Sequence, residues 1–213
     1  SFSVPNTSVP ALVALNETDV AFIDYNNDEL RTYRFNFPRG YSFTTNNAMG
    51  RAGFLGEETA LTAIVMVRPD DNNSNQCCIG GYNGDGFIIQ TDTADDNGYL
   101  ILAGGASDFA RISKDEAYLG VSVITMVYDG SLTGNAERLK VYINGKQASL
   151  TFQGAASIPS SIDLSGITFA IGQLEGYGRF WEGDILEAQV YTKALTPLQV
   201  KNESLKLLKQ VND

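Results

Sequence analysis

Histidine is absent from this 213-residue sequence, and long hydrophobic runs are absent as well. Without histidine the chain lacks the commonest general base, the usual zinc ligand and the partner that activates a serine or cysteine nucleophile. Its longest apolar runs, such as AIVMV, fall far short of the roughly 20 residues that a membrane-spanning helix needs. These gaps exclude Ser-His and Cys-His catalysis and predict that the chain does not insert into a membrane.

Positive charge is scarce. Fifteen Lys and Arg residues face 25 Asp and Glu residues, which gives a net charge of −10. The densest basic segment, KNESLKLLKQ, holds three lysines and a glutamate. Because an acidic surface repels phosphate backbones, we expect no nucleic-acid partner.

Cysteine is limited to an adjacent pair, Cys77 and Cys78. Two residues cannot build a disulfide scaffold, and neighbours on a strand point to opposite faces. We therefore expect one side chain to face the core and the other to face away. Free thiols that pack as small hydrophobic groups are the favoured interpretation, with a vicinal disulfide or an intermolecular bridge as alternatives.

Short apolar segments separated by Gly, Asn and Asp clusters dominate what is present. Residues 20–24 and 30–37 flank YNNDE, a pattern that predicts a hairpin, and Asn144-Gly145 predicts a second one. Residues 121–128, VSVITMVY, are apolar on both faces, which is typical of a strand that lies between two layers. Roughly a dozen such strands predict a β-sandwich.

One helix is predicted near the end of the chain. Thr196 can cap it and Pro197 suits its first position. Its predicted apolar stripe comprises Leu198, Leu205, Leu208 and Val211.

Four segments in order resemble the laminin-G-like, concanavalin A-like jelly-roll family: LTAIVMVRPDD, VSVITMVYDG, RLKVYINGKQ and FWEGDILEAQVYTKALTPLQV. Two departures stand out, since Met66 replaces a frequent Trp and the Trp-His pair that often starts the central strand is missing. The resemblance implies an all-β, antiparallel jelly-roll β-sandwich. We expect residues 1–58 to form an N-terminal hairpin arm packed on the sandwich, and residues 59–213 to form the jelly roll with its short C-terminal helix.

Three carboxylates, Glu182, Asp184 and Glu187, share one segment at the E-x-D-x-x-E spacing that some β-sandwich glycosidases use. Strand alternation would put Glu182 and Asp184 on one side and Glu187 on the other unless a bulge intervenes. A retaining glycosidase needs its two carboxyl groups about 5 Å apart. The family resemblance instead assigns Glu187 a structural position in the closing strand, so we expect no catalytic residues.

Two loops, GGYNGDGF and LEGYGRFWEG, carry candidate glycan-binding side chains. Aromatic rings can stack on a sugar, while Asn, Asp and Arg can hydrogen-bond its hydroxyl groups. The candidates are Tyr82, Asn83, Asp85, Tyr177, Arg179 and Trp181. The alternative is that the polar residues only form turns and that the aromatic residues pack in the core.

A third loop, TDTADDNG, offers Asp92, Asp95 and Asp96 as candidate Ca²⁺ ligands. Calcium prefers six to eight hard oxygen ligands. The spacing is not that of an EF-hand, and a solvated acidic loop is the alternative.

The sequence thus predicts a non-catalytic recognition or structural module displayed on a surface, such as a virion decoration or tail component or an adhesin. Its expected place is extracellular or on a virion surface. Its expected partner is a protein of that surface or a cell-surface glycan, and a homo-oligomer is left open. The alternatives are a free carbohydrate-binding lectin and a glycoside hydrolase that uses the strand with Glu182, Asp184 and Glu187.

Overall fold

A computed structural model describes residues 13–14, 22–26, 32–36, 42–43, 49–52, 55–69, 75–92, 97–113, 115–116 and 120–212. The elements of the first half are β1 (Val13–Ala14), β2 (Phe22–Asn26), β3 (Thr32–Asn36), β4 (Ser42–Phe43), β5 (Met49–Ala52), β6 (Glu57–Glu58), β7 (Ala60–Pro69), β8 (Cys77–Tyr82), β9 (Gly86–Thr91), β10 (Asn97–Gly104) and β11 (Phe109–Ser113). The later elements are β12 (Ser122–Asp129), α1 (Asn135–Arg138), β13 (Leu139–Ile143), β14 (Lys146–Gln147), β15 (Thr151–Phe152), β16 (Ile162–Asp163), β17 (Thr168–Ile171), β18 (Gln173–Leu174), β19 (Arg179–Phe180), β20 (Gly183–Tyr191) and α2 (Pro197–Asn212).

Two antiparallel sheets form the sandwich. The first has the strand order β1-β5-β17-β8-β9-β10-β11-β15. The second has the order β14-β13-β12-β7-β20-β3-β2, with β4 also paired to β20. Crossovers such as β5 to β17 bring distant segments together, which is typical of a jelly roll and confirms the predicted fold class.

The core lies between the two sheets and consists of large side chains from both. Its bulkiest fully buried members are Trp181, Tyr99, Tyr128, Phe87 and Phe169. Strand β12 contacts apolar neighbours on both of its faces. Ile124 and Met126 belong to the core, whereas Val123 and Val127 pack on the opposite face, in the cluster that includes helix α2. The predicted position of this strand between two layers is confirmed.

Helix α2 begins as predicted. Gln199 N donates to Thr196 Oγ1 at 3.3 Å, and Thr196 N donates to Gln199 Oε1 at 2.9 Å. This reciprocal capping box satisfies backbone donors that have no partner within the first turn. Among the described residues, no helix is both long enough and apolar enough to cross a bilayer.

The predicted apolar stripe of α2 is wrong for Leu198 and Leu205, whereas Leu208 packs against the cluster on the second sheet, and the side chain of Val211 lies outside the described residues. Leu198 is 66% exposed and Leu205 is 45% exposed, whereas Val200, Ser204 and Leu207 are buried. Leucines occur on more than one side of this helix, so periodicity alone did not identify the side that packs on the second sheet. Ser204, which is fully buried, shares the packed side with Val200 and Leu207.

The two predicted hairpins are present. Asn144 and Gly145 have φ values of 54° and 78° between β13 and β14, the positive pair that a type I′ turn requires. Strand β2 pairs with β3, and β3 pairs with β20, so the N-terminal hairpin extends the second sheet. The division of the chain at residue 58 stays a prediction.

Candidate functional site

The outer face of the first sheet, the side turned away from the core, carries a separate apolar cluster. Its members are Cys77, Ile88, Leu102 and Leu174, with Tyr82, Leu100 and Phe109 packed against them. Strand register explains the grouping, because Gln90 pairs with Cys77 on one side and with Leu100 on the other. Alternation places every second residue of β9 on this face. A register shift between Cys77 and Ile79 interrupts the alternation in β8, where Cys78 and Ile79 both face the core.

The β18–β19 hairpin folds over this face. The chain leaves the sheet at Gly172, whose φ of 85° suits a sharp bend, and Gly172 N donates to Cys78 O at 2.9 Å. At the far end of the hairpin, Trp181 N donates to Gly172 O at 2.8 Å and closes its base. Leu174 is buried in the outer cluster. These contacts bring the hairpin's loop beside the end of β8.

Tyr82, Tyr177 and Arg179, which we call the aromatic trio, meet at that point. The two tyrosine rings lie 5.8 Å apart at an interplanar angle of 67°. The Arg179 guanidinium carbon lies 5.9 Å from the Tyr177 ring centroid, and Arg179 Nη1 donates to Gln90 Oε1 at 2.8 Å. Tyr177 is 48% exposed. Three of the six predicted glycan-binding residues are therefore in contact, and one of them presents an aromatic ring to solvent.

Acidic residues line the Tyr82 end of the trio. Partial burial raises the pKa of the Tyr82 hydroxyl, and the nearby Tyr177, Asp85 and Asp108 raise it further. Proximity of negative charge disfavours the phenolate. The carboxyl groups of Asp85 and Asp108 therefore lie near this end of the trio, while Arg179 supplies positive charge at the other end.

The predicted residues Asn83 and Asp85 lie in the adjoining loop, where they bond to the protein itself. Asp85 Oδ1 accepts from Gly86 N and Oδ2 accepts from Asp163 N, both at 3.0 Å. Asn83 Nδ2 donates to Gly166 O at 3.3 Å. Both side chains hold loops together, as expected of turn-forming residues, and they border the aromatic trio.

Trp181 requires a correction. Its side chain is 0% exposed and belongs to the core between the sheets. The chain re-enters the core directly after the hairpin, so the indole ring cannot stack on an external sugar. We remove Trp181 from the candidate binding residues.

Sequence reasoning missed Phe109, Arg111 and Gln90. The Arg111 guanidinium carbon lies 4.8 Å from the Phe109 ring centroid on β11, next to β10 on the outer face. Their i, i+2 spacing was the available signal, since alternation places such residues on one face. Gln90 occupies an outer-face position of β9 and orients Arg179.

Of the predicted calcium ligands, Asp95 and Asp96 lie outside the described residues. Asp92 is buried, and its Oδ2 pairs with Arg111 Nε at 2.6 Å. Within the described segments, no group of three or more His, Cys, Asp or Glu side chains could hold a metal ion. The calcium site stays a prediction, and Asp92 already has a cationic partner.

The strand with Glu182, Asp184 and Glu187 contains the bulge that alternation alone does not predict. The pairing of β20 with β7 shifts register between Ile185 and Glu187. Glu187 therefore shares the outer face of the second sheet with Asp184, which corrects the expectation of opposite sides. Glu187 is buried and accepts a hydrogen bond from Gln189 Nε2. Asp184 pairs with Arg68 at 2.5 Å, while Glu182 is exposed.

Cys77 and Cys78 are free thiols on opposite faces of β8, as predicted, and both are buried. Burial raises the pKa of Cys77 to about 12 despite the positive charge of Arg179, and burial raises that of Cys78 as well. A thiol in such surroundings stays protonated and inert near neutral pH.

We expect neither thiol to react with Ellman's reagent at pH 8 in the folded protein, because the reactive thiolate is scarce and the sulfur is inaccessible. In urea both thiols should react within minutes. Absorbance at 412 nm measures the difference. Rapid labelling of one thiol in the folded state would contradict the burial of Cys77 beneath the β18–β19 hairpin.

The sequence of residues 41–201 matches the family described as the concanavalin A-like lectin/glucanases superfamily, laminin-G type. This match covers most of the chain and begins before the predicted boundary at residue 59. The chain belongs to this family, as its sequence motifs indicated. No curated protein matches the chain in sequence.

Solved structures with the same fold are distant in sequence. Domain 4 of AbnA, a GH43 extracellular arabinanase from Geobacillus stearothermophilus solved with arabinotriose, is 15% identical with a TM-score of 0.56, and the alignment covers 91% of this chain and 86% of that one. The CBM40 module of a Ruminococcus gnavus IT-sialidase, solved with α2,3-sialyllactose, is 15% identical with a TM-score of 0.52, covering 68% and 82%. The NanB sialidase of Streptococcus pneumoniae is 17% identical with a TM-score of 0.54, covering 76% of this chain and 27% of that one. At these identities the likeness concerns the fold.

Proposed function

We propose that this chain is a non-catalytic carbohydrate-binding module whose ligand lies on the outer face of the first sheet, over the aromatic trio. The observation that carries the proposal is the exposed Tyr177 ring, which contacts Tyr82 and lies beside the Arg179 guanidinium. A tyrosine ring offers an apolar face to the C–H groups of a sugar, and its hydroxyl group can hydrogen-bond. In the described part of the chain, neither tyrosine hydroxyl has a hydrogen-bond partner, so both are available to a ligand.

The apolar side chains of this face extend beyond the aromatic trio. Tyr82 on β8 and Phe109 on β11 belong to one apolar cluster, and three strand spacings separate those strands. That separation is about 14 Å. The carbohydrate-bound structures of the arabinanase domain and the CBM40 module give this proposal support at the level of the fold.

A glycoside hydrolase is less well supported by the acidic strand. Two of its carboxylates have partners within the protein, Asp184 with Arg68 and Glu187 with Gln189. Glu187 is also buried, so it does not share an open cleft with the exposed Glu182. A retaining mechanism requires two carboxyl groups facing one sugar ring. We therefore assign this strand a structural role.

A second part of the proposal concerns where the module works. We propose that the module works outside the cell or on a virion surface, as a component of an adhesin, a tail or a decoration. A free lectin remains the alternative, and the same binding site would serve both. Immunogold labelling of the source cells or particles distinguishes them. A displayed module gives gold particles on the surface, whereas a free lectin leaves the surface unlabelled and is found in the medium.

A glycan array followed by isothermal titration calorimetry tests the binding function. We expect the wild-type chain to bind at least one oligosaccharide saturably. Tyr177→Ala should weaken that binding by about 10- to 30-fold, because it removes an exposed aromatic anchor. The melting temperature should stay unchanged, since the ring is half exposed.

Leu198→Ala provides the matched control. Leu198 is also an exposed large hydrophobic residue, but it lies on α2, which packs on the other sheet. This variant should bind as the wild type does. Absence of binding to every glycan, or equal binding by Tyr177→Ala, would overturn the proposed function.

A further inference from the structure

Among the described residues, Arg179 contacts only neutral groups. Its Nη1 donates to Gln90 Oε1 at 2.8 Å, and its guanidinium lies beside the Tyr177 ring. Neither contact neutralises the charge. The guanidinium is planar and carries five N–H donors, so most of them stay available after the bond to Gln90. The side chain is thus oriented in advance, and no carboxylate of the described residues pairs with its positive charge.

The other arginines whose side chains the structure describes are used differently. Arg111 pairs with Asp92 at 2.6 Å, and Arg68 pairs with Asp184 at 2.5 Å. Arg138 donates to two backbone carbonyl groups that it holds together. Arg179 alone among them combines a location on the proposed sugar face with a charge that no carboxylate of the described residues balances.

The charges along the face also differ from one end to the other. Asp85 and Asp108 make the Tyr82 end negative, and their carboxylate oxygens already accept bonds from backbone N–H groups. Arg179 lies toward the opposite side, above Gln90. A ligand with an acidic group at one end would therefore have one favourable orientation. The half-buried position of Arg179 strengthens a pairing there, because water screens it less.

We infer that the site selects a glycan that carries a carboxylate, with this group paired to the free N–H donors of Arg179 while a neighbouring sugar ring contacts Tyr177. This inference rests on the proposed carbohydrate-binding function and names its ligand class. Sialic acids and uronic acids both supply the required carboxylate. Charge-assisted pairing of guanidinium and carboxylate is strong and directional, which gives acid selectivity without a general attraction of anions by the protein.

Two matched pairs of probes test the inference by calorimetry: 3′-sialyllactose against lactose, and trigalacturonic acid against its methyl ester. We expect the acidic member of one pair to bind at least about tenfold more tightly than its neutral counterpart. The pair that shows this preference identifies the source of the carboxylate. Arg179→Met should abolish the preference, and Arg179→Lys should retain part of it.

Lys201→Met is the control for net charge, because it removes one positive charge from an exposed position on α2. It should leave the preference intact. Equal binding of acidic and neutral probes, with both lost in Tyr177→Ala, would overturn the acid selectivity and keep the carbohydrate site. An acid preference that survives in a folded Arg179→Met variant would also overturn it. Binding of no glycan at all would overturn the proposed function as well.

Discussion

Trp181→Ala is expected to lower the free energy of unfolding by about 3–5 kcal/mol, because it removes the largest fully buried side chain of the core and leaves a cavity. For a chain of this size, such a loss corresponds to a fall in melting temperature of roughly 6–20 °C. Urea unfolding followed by far-ultraviolet circular dichroism measures it. Binding by the fraction that remains folded should be retained, since the indole ring does not reach the outer face.

Two variants make this prediction specific. The Trp181 Nε1 atom is buried without a hydrogen-bond partner in the described structure, so Trp181→Phe loses ring volume but no bond and should cost much less than the alanine variant. Tyr177→Ala, four residues earlier, should affect binding and not stability. If Trp181→Ala weakened glycan binding while unfolding as the wild type does, the ring would belong to the site and our correction would fail.

Local chemistry explains which parts of the fold could be predicted. The Asn144-Gly145 turn needs positive φ at both residues, and few other dipeptides adopt that conformation readily. Thr196 and Pro197 mark a helix start through groups within one turn. Strand alternation likewise separated Cys77 from Cys78. Each of these predictions depends on neighbours in sequence, and each is confirmed.

The incorrect predictions depend on contacts between distant segments. The bulge before Glu187 arises in the pairing of β20 with β7, which lie more than a hundred residues apart. The buried side of α2 is set by its packing on the second sheet, and leucines on several sides concealed it. Trp181 lies next to exposed hairpin residues, yet the chain enters the core there. Nothing local distinguishes these outcomes.

For the aromatic trio, the sequence indicated the residue types, whereas their positions depend on the fold. Tyr82 and Tyr177 are 95 positions apart, and their chemistry identified them as sugar-stacking candidates. Their contact requires the crossover that sets β17 beside β8 and the bend at Gly172. Gln90 could not be recognised, because its role is to orient Arg179 on another strand. The residue types thus suggested a carbohydrate ligand, and the strand topology brings the residues of the site together.

The strand pairing beneath the trio leads to a second prediction of large effect. Gly86 on β9 pairs with Tyr82 on β8 and with Gly104 on β10. A Cβ atom at Gly86 would lie 2.2 Å from Gly81 O and 2.9 Å from Tyr82 Cα. Both are backbone atoms that cannot move away unless β8 and β9 separate. Gly86→Ala should therefore cost about 3 kcal/mol or more, at the upper end of overpacking effects.

Gly86→Ala should also weaken glycan binding, because separation of the strands displaces Tyr82 from Tyr177. Gly154→Ala is the matched control: a Cβ atom there meets nothing within 4 Å and the residue is exposed. This control should unfold within about 0.5 kcal/mol of the wild type and bind glycans unchanged. Thermal melts of the two variants measure their stability, and calorimetry measures their glycan binding. Equal stability of the two variants would mean that β8 and β9 are not paired closely enough to hold Tyr82 against Tyr177, and the binding site would lose its structural basis.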